Sequence, residues 1–125
     1  MREMTKDPIP VLDERQVAGL VGLDRGKGAL FSGFVSAFTA GAAARIAVLR
    51  QQANGAEGAA LADSAHALRG AAGNVGAARL AALCEQIEAA GRRQDMGSAR
   101  ALAALVEAEY AAARDALRAA CPANS

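Results

Sequence analysis

The stretch LADSAHALRGAAGNVG, Leu61 to Gly76, decides how this chain is read. Leu61, Ala65, Leu68, Ala72 and Val75 step by 4, 3, 4 and 3. That is the spacing of residues lining one seam of a helix bundle. The segment predicts a helix over about Glu57 to Gly73, broken at Gly73-Asn74-Val75-Gly76, where Asn74 tolerates left-handed geometry and Gly76 adopts it without a steric cost.

Working outward, similar patterns recur on both sides. Upstream, Phe31, Phe34, Val35, Phe38, Ile46 and Leu49 form one stripe of a long helix from about Lys27 to Ala53, with Asn54-Gly55 supplying the reversal. Before it, Asp13-Glu14-Arg15-Gln16 reads as a capping box in which Gln16 reaches back, opening a short helix with Val17, Leu20 and Val21 that Gly22 ends. Downstream, a helix over about Ala77 to Arg93 turns Leu80, Leu83, Cys84 and Ile87 inward. A last helix, capped by Asp95 or Ser98, carries Leu102, Leu105, Val106, Ala113 and Leu117 until Pro122 stops it. No run alternates with period 2 over strand length. Short links between long amphipathic helices predict an all-α fold: an antiparallel up-down four-helix bundle with a short additional N-terminal helix. The domain is expected over residues 13–120, between flexible tails at 1–12 and 121–125.

Composition narrows the function. The 125 residues suit one domain. Thirty-five are Ala, and the aromatics are three Phe and one Tyr, so helices must pack closely. Fourteen basic against thirteen acidic side chains give a net charge of +1, without the concentrated basic stripe of a nucleic-acid surface. Two cysteines are too few for a disulfide scaffold and point to a reducing compartment. The N-terminus lacks the apolar run of a signal peptide. The uncharged stretch from Gly28 to Ala44 is 17 residues long and diluted by Ser, Thr and Gly. It falls short of the roughly 20 apolar residues of a membrane span, so it reads as a core helix, with no membrane insertion expected.

Chemistry concentrates on the opening stretch. At about 100° per residue, Arg69, Gly70 and Gly73 all lie within roughly 60° of His66. The only histidine in the chain therefore stands beside a cation, on a face bared by two glycines. Each costs a helix about 1 kcal/mol relative to Ala. In an Ala-rich chain, close approach by a second protein is a reason to keep them. Close packing between helices is the ordinary alternative.

The run from His66 through Leu68, Arg69, Gly70, Gly73, Val75 and Gly76, continuing to Leu80, Cys84, Ile87-Glu88 and Gly91-Arg92, resembles the histidine phosphotransfer (HPt) domain family. That family pattern is His-x-Leu-Lys-Gly followed by a hydrophobic ladder. The likeness is ungapped over residues 61–92 and looser from Asp13 to Leu117. It implies that His66 is phosphorylated through its solvent-facing ring nitrogen. It implies that Arg69, where Lys is commoner, stabilises the phosphoryl group; a guanidinium pairs bidentately with its oxygens. Gly70 clears room for a partner, Glu88 orients the imidazole, and Arg92 is a further basic residue near the site.

Residue types fit that implied role. Imidazole, with a reference pKa near 6.5, is largely neutral and nucleophilic around neutral pH, and phosphoryl transfer asks for little beyond positioning and charge neutralisation. The resemblance further implies receiver domains of response regulators as partners, including those of a hybrid sensor kinase. Their own Mg²⁺ assists, and this chain carries no cofactor and no metal. With neither a P-loop nor a kinase glycine motif, the chain is expected to be a cytoplasmic, monomeric phosphocarrier rather than a kinase or other enzyme. Two alternatives stand beside it: a histidine substrate domain phosphorylated by a kinase, as in chemotaxis, and a structural or docking bundle that transfers nothing.

Overall fold

The computed structural model describes residues 8–24 and 27–122. Among them every regular element is helical: α1 Glu14–Val21, α2 Ala29–Ala53, α3 Gly58–Asn74, α4 Ala78–Arg92, α5 Met96–Ala103 and α6 Val106–Ala120, with one 3₁₀ turn at Gly22–Asp24. Helices α2, α3, α4 and the α5–α6 pair run up and down as four members of a bundle. Each packs on the next, and α2 closes against α5 and α6. The predicted fold is observed.

Local chemistry sets the ends. Asp13 caps α1 by accepting from the Gln16 backbone N–H at 3.1 Å, satisfying one of the helix's orphan donors. Gln16 does not reach back as a capping box requires. Its side-chain amide instead donates to the Gly73 carbonyl at 2.5 Å, fastening α1 to the far end of α3. Gly76 is the left-handed residue of the α3–α4 turn, at φ 79°, while Asn74 stays helical. Asp95 caps α5 through Ser98 N–H at 3.1 Å, and Ser98 lies inside that helix.

The core is one apolar cluster with Phe31, Leu49, Leu61, Leu68, Leu80, Ile87 and Leu117 fully enclosed. Three expectations change. Phe34 is 38% exposed, so the long-helix stripe passes it by. Leu105 is exposed because the last helix breaks at Ala104-Leu105 into α5 and α6, turning Val106 inward in its place. Leu12 is buried, and the Val11 carbonyl accepts from Arg79 N–H, so packed chain begins inside the span expected to be a flexible tail. The remaining tail expectations, for residues 1–7 and 123–125, lie outside the described residues. Helix α2 is long and apolar enough to cross a bilayer by length and composition, yet it is a member of this bundle.

Close helix approach is arranged by Gly58 and Gly91, of which only Gly91 stood out in the sequence, as part of the family-like run. A Cβ on Gly91 would lie 2.6 Å from the Gly58 carbonyl oxygen, and one on Gly58 would strike the Gly91 carbonyl. The α3 and α4 backbones touch there. Gln94, at φ 60°, closes the same corner by accepting from Gly58 N–H at 3.0 Å. This contact sets α4 alongside α3 and so brings their outer faces together.

Candidate functional site

Helix α3 buries Leu61, Ala65, Leu68 and Ala72, which turns His66, Gly70 and Gly73 outward on its opposite side. Helix α4 buries Leu80, Leu83, Cys84 and Ile87, so Glu88 emerges at the seam between the two. The imidazole and the carboxylate therefore meet. His66 Nδ1 lies 3.3 Å from Glu88 Oε1 and 3.2 Å from Oε2. The His66 side chain is 62% exposed and that of Glu88 only 15%. A half-sunken carboxylate thus holds one ring nitrogen and leaves Nε2 toward solvent.

Glu88 gathers more than the histidine. Arg69 Nη1 donates to its Oε1 at 3.2 Å, and Arg92 Nη2 donates to its Oε2 at 3.3 Å from one turn along α4. Arg92 Nη2 also reaches Asp63 Oδ1 at 3.3 Å, back on α3. Desolvation alone would raise the Glu88 carboxyl. Hydrogen bonds from His66 and Arg92, with the charges of His66 and Arg69, outweigh it and hold the group below the ordinary carboxylate value. An ionised Glu88 favours the tautomer with hydrogen on Nδ1, leaving the lone pair on exposed Nε2.

All five residues expected at the site lie on this α3–α4 surface. His66, Arg69 and Glu88 are in direct contact. Arg92 joins through the carboxylates of Asp63 and Glu88. A Cβ at Gly70 or Gly73 would meet nothing within 4 Å, so neither serves packing inside the chain. Asp63 was missed by the sequence reading. Its signal was available: it lies three residues before His66, on the same side of the helix. Cys84 is buried below, with its thiol pushed up to about 12 by burial despite the nearby Arg69 charge, so it offers no competing nucleophile. Among the described residues, no three His, Cys, Asp or Glu side chains are grouped to hold a metal.

Comparison with known proteins matches the Hpt domain family over residues 33–116. Among solved structures, histidine-containing phosphotransfer protein B from Pseudomonas aeruginosa PAO1 is similar at 29% identity and a TM-score of 0.71. The match covers 88% of this chain and 93% of that one. No curated protein sequence matches.

Proposed function

This chain belongs to the Hpt domain family, and on that premise we propose that it accepts a phosphoryl group on His66 from a receiver-domain aspartate and passes it to another receiver. The observation that carries this reading is the imidazole held at Nδ1 by Glu88 with Nε2 facing out. The Nε2 lone pair attacks phosphorus in line. The N–P bond forms as the P–O bond to the aspartate breaks, and the carboxylate leaves with the electron pair. Throughout, Nδ1–H stays on Glu88, which stabilises the positive charge that grows on the ring. Arg69 turns from Glu88 to the phosphoryl oxygens and neutralises charge there. Gly70 and Gly73 let the receiver's pocket close to bonding distance.

The partner's Mg²⁺ supplies the remaining charge neutralisation, and this chain adds no cofactor of its own. The partners, free response regulators or the receiver of a hybrid kinase, place it in the cytoplasm. The carrier acts as a relay intermediate, not as a kinase.

The test is incubation with a receiver radiolabelled on its aspartate, and in parallel with a histidine-kinase domain and ATP. Label should pass from the receiver, and the product should be acid-labile and base-stable, as a phosphoramidate is. His66→Gln should abolish it. Labelling of that variant at the level of the parent overturns the assignment, since the sequence holds no second histidine. Labelling only by the kinase domain makes the chain a kinase substrate instead.

A further inference from the structure

Arg92 holds two carboxylates with one nitrogen. Its Nη2 donates to Asp63 Oδ1 on α3 and to Glu88 Oε2 on α4, each at 3.3 Å. Glu88 Oε2 is also the oxygen that lies 3.2 Å from His66 Nδ1. The guanidinium and the imidazole therefore meet on a single oxygen atom. A long, flexible arginine that reaches the atom holding the ring also stands close to a phosphoryl group carried on that ring.

Asp63 adds little to the fold. Its side chain is 77% exposed and that of Arg92 is 50% exposed, and an ion pair so open to water contributes little to stability. Nor does it fasten α4, because Gly58 and Gly91 already set the two backbones together. What the contact does decide is where the Arg92 charge stands.

That place matters because the site has two arginines and two tasks. Glu88 is half-sunken and its carboxyl is held below the ordinary value, so the ionised group needs cations beside it. Arg69 occupies its Oε1 and Arg92 its Oε2. When Arg69 turns to the phosphoryl oxygens, Arg92 is the guanidinium left on Glu88. A phosphoryl group with about two negative charges competes for it. Asp63 opposes that competition by holding the same Nη2 on α3.

We propose that Asp63 is a positioning residue: it tethers Arg92 at the α3–α4 seam, so that Arg92 keeps Glu88 while Arg69 alone serves the phosphoryl group. A second arginine would stabilise the phosphohistidine itself, and its contact would have to be given up as a receiver takes the group. The tether thus keeps the loaded chain a ready donor. The proposal rests on His66 carrying a phosphoryl group, as in the relay reading.

Phosphoramidate, a small donor that needs no receiver, loads the full chain for the test. Phosphorus NMR then follows the phosphohistidine signal after the donor is removed, and onward transfer is timed by adding an unphosphorylated receiver. Asp63→Asn should lengthen the half-life about two- to fivefold, the size of an exposed ion-pair coupling, and slow onward transfer by a similar factor. Its thermal midpoint should stay with the parent's. In an Arg92→Gln background the same Asp63 substitution should change neither half-life nor transfer. An unchanged half-life in Asp63→Asn overturns the proposal. So does an equal lengthening in the Arg92→Gln background, which would make Asp63 a through-space charge and not a tether. The half-life decides the tether even where no receiver transfers, so the relay reading and the tether fail separately. A chain whose His66 takes a phosphoryl group from neither donor overturns both.

Discussion

At the scale of single residues, the site is a balance of charges around Glu88. Arg69 is shared between that carboxylate and the phosphoryl group it is proposed to meet. Arg69→Ala should therefore slow transfer from a receiver by about ten- to a hundredfold, the equivalent of a charge-assisted contact worth roughly 1.5–3 kcal/mol. Arg69→Lys should keep most of the rate, and thermal unfolding should hardly move. Rapid-quench transfer kinetics on both variants decide it; two parental rates would make Arg69 a plain surface residue.

Glu88 makes a pH-dependent prediction. Its carboxyl titrates below the ordinary value in the folded chain. The stability it contributes is thus fully present above the unfolded carboxylate pKa of about 4.3 and is lost as pH falls through the depressed native value. Urea midpoints of the parent and Glu88→Gln should differ near neutral pH and converge in acid. A constant gap across that range would mean that the ionised carboxylate adds nothing to stability.

At the scale of elements, two glycines alike in sequence act in opposite ways. Gly70 faces open space, so Gly70→Gln should leave the isolated bundle neutral or slightly more stable, by several tenths of a kcal/mol of helix propensity, while blocking transfer from a receiver. Gly91 faces the Gly58 carbonyl, so Gly91→Ala should cost about 1–3 kcal/mol through overpacking. Thermal unfolding and transfer rate measured on the same samples separate the two roles. Unfolding of Gly70→Gln would assign that glycine to packing, and normal transfer by a folded Gly70→Gln would remove the docking account. Nothing local distinguishes the two positions. Which side of a helix meets another backbone is set by the neighbouring helix, and that neighbour is far away in sequence. The same reason hid the break at Ala104-Leu105, where no Gly or Pro marks the turn, and the exposure of Phe34, whose place three residues after Phe31 suits the same stripe.

At the scale of the whole molecule, the two cysteines report on the core. Cys84 is fully enclosed among the four helices with its thiol pushed up to about 12 by burial, whereas Cys121 is half-buried at the end of α6. A thiol-specific reagent at neutral pH should label Cys121 in the native chain and reach Cys84 only as fast as the bundle opens. Equal labelling of both before the urea transition would show that the α3–α4 side of the core opens locally.

Sequence alone determined the all-helical class, the order of the helices apart from the break at Ala104-Leu105, and the bundle that follows from short links, and through the family resemblance it singled out His66, Arg69, Gly70, Glu88 and Arg92 as candidates. Each rests on periodicity, on turn chemistry or on a motif within one stretch, and such signals are carried by neighbours along the chain. Tertiary structure alone decided that Glu88 holds Nδ1, that Arg92 is bound to Asp63 and Glu88, that Gln16 fastens α1 to Gly73, and that Gly58 and Gly91 bring α3 against α4. Those are contacts between separate helices. Their geometry depends on how closely two backbones approach and how far each is rotated, quantities that appear only when the core is packed.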